Sequence, residues 1–258
     1  TNFPLRCVAD DVKFFFTTAV GTETAKTPGF FPRGPRKPRK GAWTTPPEGG
    51  MNASMDLKNP KILEIMACLS RYLYGKDLAL KLALITCCSR GHLLIEDLPG
   101  LGKTVLALSI ARVLGLTFGR IQCTSDLLPT DITGLSVYNK NTAEFEFHPG
   151  PIFNHIVLVD EINRATPKTQ SALLEAMGEK QTTIEGKTYR HPQPFFVIAT
   201  QNPVEHFGTF PLPESQMDRF MMQIRIGYPS GDQEKEILKQ GSSRGELEKL
   251  YDTSSVLS

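Results

Sequence analysis

Pairing is what the cysteines of this chain lack. There are five in 258 residues, at Cys7, Cys68, Cys87, Cys88 and Cys123. The number is odd and no two stand in C-x-x-C spacing, which argues against a disulfide framework. Buried free thiols in a reducing compartment, the cytoplasm, are expected instead. Long apolar runs are missing too: none approaches the roughly 20 residues needed to cross a bilayer. Asp10, Asp11 and Lys13 interrupt the apolar stretch at the start, so it does not read as a signal peptide. An excess of either charge is also absent. A net charge of +2 gives no electrostatic reason to name nucleic acid or an anionic membrane as the partner.

What is present is a 40% hydrophobic share, enough for a sizeable core in one or two domains. Three regions are expected. Residues 1–50 are Pro-rich and basic around Phe30 to Gly41, which suits a solvated, disordered segment better than a nucleic-acid arm. The chain starts at Thr1, and Met51 follows Gly49-Gly50, so Met51 is a candidate natural start. Residues 51–229 carry the alternating apolar patterns of a folded core. Residues 230–258 are polar, with one helical piece around Glu234–Lys239.

Within the core, Ile62, Ile65, Met66, Leu69 and Leu73 recur at helical spacing. Tyr74-Gly75 breaks that pattern, and Leu78 to Cys88 reads as a second helix. Leu93-Leu94-Ile95 is a short buried strand, Thr104 to Leu114 a helix stopped at Gly115, and Arg120 to Thr124 a candidate strand. A turn around Pro129 precedes a hairpin near residues 137–147. Ile156 to Val159 suits a central parallel strand covered on both faces. Thr166 to Met177 is a helix, a second hairpin turns at Glu185-Gly186-Lys187, and Phe195 to Thr200 is another buried strand. Met222, Ile224 and Ile226 alternate as a last strand. Strands separated by helices predict a three-layer α/β domain with a mostly parallel sheet and two inserted hairpins.

Chemistry enters after the first of these strands. Leu98-Pro99-Gly100-Leu101-Gly102-Lys103-Thr104 joins strand to helix in the order of a phosphate-cradling loop. Backbone N–H groups and the helix N-terminus face phosphate oxygens, Lys103 reaches the terminal phosphates, and the Thr104 hydroxyl binds Mg²⁺. One feature of G-x-x-x-x-G-K-[ST] is missing, because Asp97 stands where the first glycine belongs. Asp160 and Glu161 end the most apolar run. Asp160 is placed to hold Mg²⁺ with Thr104, and Glu161 to polarise the attacking water. The alternative is a pair of solvated acids capping the next helix. Asn202 follows another buried strand and can bond water or the γ-phosphate, or simply make an Asn-Pro turn. Arg219 is a candidate arginine finger, or an arginine paired with Asp218. Ligands of such folds sit at the carboxyl ends of the strands, and Lys103, Thr104, Asp160, Glu161 and Asn202 all follow apolar runs.

Several motifs, in order, resemble the MoxR family of AAA+ ATPases. They are Gly91 to Thr104, Asp126 to Gly134, Pro149 to Phe153, Asp160-Glu161-Ile162-Asn163-Arg164-Ala165, Leu173 to Met177, Ile198 to Pro203 and Leu212 to Phe220. The resemblance covers roughly residues 60–229. It implies a P-loop ATPase core that binds ATP and Mg²⁺, with Leu98 through Val105 on the nucleotide. It further implies Lys103 and Thr104 as Walker A, Asp160 and Glu161 as Walker B, Asn202 as sensor 1, and Tyr74-Gly75 near adenine. Arg219 would act on ATP of a neighbouring subunit, which implies a homo-oligomeric, usually hexameric, ring. The hairpin near residues 137–147 would be an insert in helix 2. A chaperone-like role on client proteins is implied, often with a von Willebrand factor A domain partner. The alternatives are a magnesium-chelatase-like ATPase subunit, a nucleotide- or partner-binding module without turnover, and, more weakly, a nucleic-acid motor. The family's helical lid, with its sensor 2 arginine, would be incomplete by Ser258, so the chain is expected to be a fragment or a truncated form.

Overall fold

In a computed structural model, which describes residues 60–204 and 208–228, five strands run parallel. They are β1 (Leu93–Glu96), β2 (Phe118–Gln122), β5 (Ile156–Asp160), β8 (Phe196–Gln201) and β9 (Met222–Ile224), in the order β2-β5-β8-β1-β9. All neighbouring pairs are parallel. Gln122 is level with Asp160, Val159 with Ala199, and Ile95 with Thr200. The carboxyl ends of four strands therefore form one row. Every residue of β5 is buried, as a strand covered on both faces must be.

Alternate strand residues feed two cores. Leu93, Ile95, Ile156, Leu158, Phe196 and Ile198 pack on one side. There they meet α1 (Pro60–Leu69), α2 (Asp77–Cys88) and α3 (Lys103–Leu114). Leu94, Val157, Val159, Val197 and Ala199 pack on the other. They meet α4 (Pro129–Thr133) and α5 (Pro167–Glu179), the latter burying Leu173, Leu174, Ala176 and Met177. The Thr166 hydroxyl accepts the Thr169 N–H and caps α5, as an N-terminal threonine should. The result is the expected three-layer α/β core with a parallel sheet.

The hairpins also form as expected, from β3 (Gly134–Asn139) with β4 (Glu144–Pro149) and from β6 (Gln181–Ile184) with β7 (Lys187–Arg190). Glu185 and Gly186 both have positive φ, 49° and 78°, the tight turn a two-residue hairpin needs. Phe147 of the first hairpin stacks on Tyr189 of the second, 4.2 Å between centroids. A short helix α6 (Glu214–Met217) precedes β9.

Three boundaries differ from expectation. The second strand lies two residues earlier than Arg120–Thr124, because pairing with β5 sets its register: Phe118 meets Ile156. The first helix ends at Leu69, and Leu73 folds back in a turn whose N–H still reaches Leu69 O at 3.2 Å. The last strand stops at Ile224, because the Ile226 N–H turns to the Asp97 carboxylate instead of a strand partner. The expectations for residues 1–50, Met51 and the helical piece around Glu234–Lys239 fall outside the described residues.

Candidate functional site

The loop after β1 is built around two glycines, Gly100 and Gly102, both at φ 85°. That left-handed backbone suits glycine and strains most other residues. A Cβ at Gly102 would also meet Leu73 Cδ1 at 2.9 Å, so the turn carrying Tyr74 and Gly75 lies beside the loop. Tyr74 is exposed there, and Gly75 has φ 70°.

Gly102 caps α3, and its carbonyl accepts the Leu106 N–H at 2.9 Å. The N–H groups of Lys103, Thr104 and Val105 precede that first helical bond, so the helix itself leaves them unpaired. They form a ready donor set for an anion. The Val105 side chain packs partly on the core below, so only its backbone is offered to a ligand. Leu98, Leu101, Gly102, Lys103 and Thr104 are half-buried; Pro99 and Gly100 are exposed.

The Lys103 ammonium folds back and donates to the Asp97 carbonyl. Burial pushes its pKa below the usual lysine value, and the charges of Asp97, Asp160 and Glu161 oppose that shift. Asp160, which ends β5, and Glu161, which follows it, thus both act electrostatically on the loop lysine.

Asp160 is nearly buried. Its Oδ2 accepts from Arg120 Nε at 2.9 Å, and its Oδ1 accepts from the Thr200 hydroxyl at 3.4 Å. Glu161 has φ 57°, an uncommon backbone for a residue with a side chain and one often found at functional positions. Its N–H donates to Thr200 Oγ1 at 2.9 Å, which holds that conformation. Its Oε2 accepts from Gln122 Nε2 at 3.1 Å and from Arg164 Nη1 at 3.2 Å. Cys123 lies close by, its thiol pushed up to about 12 by burial and then by the two acids, so it is inert at neutral pH.

Asn202 is buried beyond β8, and its Oδ1 accepts the Val204 N–H at 3.1 Å. The turn reading foreseen for it is thus present in the structure. Arg219 is exposed after α6, and its guanidinium lies over Gly178 of α5. A Cβ at Gly178 would meet Nη1 at 1.8 Å. Among the described residues it makes no ion pair, with Asp218, the ordinary alternative, or with Asp160 or Glu161.

Lys103, Asp160 and Glu161 are therefore brought together, Asn202 follows the neighbouring strand β8, and Arg219 lies over Gly178 without an ion pair to either acid. Sequence reasoning missed Arg120, Gln122, Arg164 and Thr200, which hold the two acids. Arg120 and Gln122 show one available signal: they are the exposed alternates of a strand ending beside β5.

A family profile for the "ATPase family associated with various cellular activities (AAA)" matches residues 92–222. The chain is 50% identical over 193 residues to the uncharacterized protein YeaC of Bacillus subtilis, covering 74% of this chain and 60% of that one. It is 42% identical over 219 residues to the chaperone MoxR1 of Mycobacterium tuberculosis, covering 84% of this chain and 57% of that one. A crystal structure of a protein from Cytophaga hutchinsonii, assigned provisionally as an ATPase, matches with a TM-score of 0.62 at 45% identity. That match covers 69% of this chain and 54% of the other. The chain thus spans less than two thirds of each of these relatives.

Proposed function

Because the chain belongs to the AAA family of ATPases, in its MoxR branch, we propose that it binds and hydrolyses ATP to drive chaperone-like work on client proteins. The observation that carries this reading is the row at the carboxyl ends of the strands. There the loop lysine, Asp160 and Glu161 are electrostatically linked beside three unpaired helix N–H groups.

In this reading the N–H groups of Lys103 to Val105 and the Lys103 ammonium bind the phosphates. Thr104 and Asp160 would hold Mg²⁺, which when bound would neutralise charge on the phosphate oxygens. The donor set fits that ion: one carboxylate and one hydroxyl, both hard oxygens. Among the described residues no cluster of three or more His, Cys, Asp or Glu could hold a metal alone. Water attacks the γ-phosphorus as the bond to the β-bridging oxygen breaks, giving ADP and phosphate. Glu161 orients that water and takes its proton, for which its carboxylate must leave Gln122 and Arg164. Asn202, with Oδ1 engaged at Val204, offers its amide N–H₂ to water or phosphate.

We assign Arg219 to the neighbouring subunit's ATP, in a homo-oligomeric ring; its exposure and its lack of an ion pair among the described residues are what motivate this. The location we propose is a reducing cytoplasm, supported by the free Cys68, Cys87, Cys88 and Cys123. No helix among the described residues is long and apolar enough to cross a membrane. A test is ATP turnover with Glu161→Gln, which is expected to bind ATP and stall; turnover equal to wild type would reject the assignment.

A further inference from the structure

Asp97 stands where a phosphate-cradling loop ordinarily opens on glycine, and all four of its polar atoms are engaged. Its N–H donates to Gln201 O at 3.1 Å, at the end of β8. Its carbonyl accepts the Lys103 ammonium. Its Oδ1 accepts the Leu98 N–H at 3.0 Å, and its Oδ2 accepts the N–H groups of Ile226 and Gly227, each at 2.7 Å. Consecutive N–H groups on one carboxylate oxygen make short, charge-assisted bonds. The carbonyls of the same segment meet the opposite charge: Lys76 Nζ donates to Gly227 O at 2.9 Å and to Tyr228 O at 2.7 Å. Two oppositely charged side chains thus grip both polarities of the backbone at Ile226–Tyr228, the stretch that leaves β9.

A glycine at position 97 would keep the loop and lose this grip. We propose that Asp97 is a positioning residue that transmits phosphate binding at the loop to the segment Ile226–Tyr228. The inference rests on the nucleotide-binding reading above. Phosphate competes for the ammonium now held by the Asp97 carbonyl. With that positive charge drawn away, the carboxylate leans harder on the Ile226 and Gly227 N–H groups. The loop's occupancy is then felt where the chain departs from the sheet, without any nucleotide contact at Ile226–Tyr228.

The test is amide hydrogen exchange on the 258-residue chain, with and without a saturating, hydrolysis-resistant ATP analogue and Mg²⁺. Calorimetry on the same samples records binding. In wild type, exchange at Ile226 and Gly227 is expected to slow by about fivefold on binding. In Asp97→Gly, which restores the glycine form of the loop, the analogue is expected to bind within about threefold of wild type. The two amides should exchange about tenfold faster than in wild type and ignore the ligand. Lys76→Met, outside the loop, removes the other half of the grip and is expected to blunt the response; it decides the matter should Asp97→Gly not fold. A purely structural Asp97 would make exchange fast in the variant but leave wild type indifferent to ligand. Binding without slowing in wild type, or a wild-type response in either variant, overturns the coupling alone. No binding at all overturns the nucleotide reading and this inference together.

Discussion

Gln122 Nε2 donates to Oε2 of Glu161 at 3.1 Å, tying the acid that follows β5 to the outward side chain that ends β2. The partner of Gln122 across the sheet is Asp160, so strand register puts the amide within reach of the next residue's carboxylate. Arg164 donates to the same oxygen, so in the proposed mechanism both bonds compete with water for the Glu161 carboxylate. Removing one such hydrogen bond is worth about 1 kcal/mol, or about fivefold in an equilibrium. Gln122→Ala is therefore expected to raise basal ATP turnover by about that factor, with ATP affinity nearly unchanged. Steady-state phosphate release checks it, and a large fall in turnover would show that Gln122 assists the reaction instead.

Arg120 makes the matching claim on Asp160, Nε to Oδ2 at 2.9 Å. A partly exposed pair of this kind contributes about 1 kcal/mol at most. Arg120→Met frees a carboxylate oxygen, so the Mg²⁺ concentration for half-maximal nucleotide binding should fall severalfold. A Mg²⁺ titration followed by a fluorescent nucleotide measures it. A higher Mg²⁺ requirement would mean that Arg120 orients Asp160 for the ion rather than competing with it.

Arg219 has its guanidinium over Gly178 and no acid on its own chain among the described residues. Arg219→Ala should abolish hydrolysis and leave ATP binding largely intact. Mixing it with Lys103→Ala subunits should restore part of the activity, because the intact loop of one then meets the intact arginine of the other. Absence of rescue over a range of mixing ratios would count against action between subunits.

Two buried histidines predict an acid limit to stability. His92 accepts the Val197 N–H on Nδ1 at 3.1 Å and donates from Nε2 to Met177 O at 3.2 Å. His191 stacks on Phe195 at 4.5 Å between centroids. Burial pulls both down to about 4 from 6.5. The folded chain keeps them neutral where the unfolded chain binds protons, so their contribution is complete above pH 6.5. It is lost as pH falls toward 4, by up to about 3 kcal/mol for His92. Urea midpoints at a series of pH values should fall over that window, and less steeply in His191→Phe. A flat profile between pH 7 and pH 4.5 would contradict the buried, neutral assignment.

Much of the fold was legible because its signals are local. Ile156 to Val159 names a central strand by composition, Gly115 stops a helix, and Glu185-Gly186 closes a hairpin. The loop around Gly102-Lys103-Thr104 and the pair Asp160-Glu161 announce themselves next to apolar runs. What stayed hidden depends on distant partners. The start of β2 is fixed by β5, 38 residues on. The carboxylate of Asp97 meets N–H groups 129 and 130 residues away, so its role cannot be read from the loop sequence. Arg120, Gln122 and Thr200 acquire their roles only once strand order sets them beside the two acids.

The central claim is that Glu161 is the residue that activates water in an ATP-hydrolysing site built on Lys103, Thr104 and Asp160. The most direct measurement is single-turnover hydrolysis by wild type and Glu161→Gln at matched ATP occupancy, with binding measured separately. Equal occupancy is expected, with a rate lowered by about a hundredfold or more in the variant, the usual range for removing a positioned general base. Equal rates at equal occupancy would contradict it.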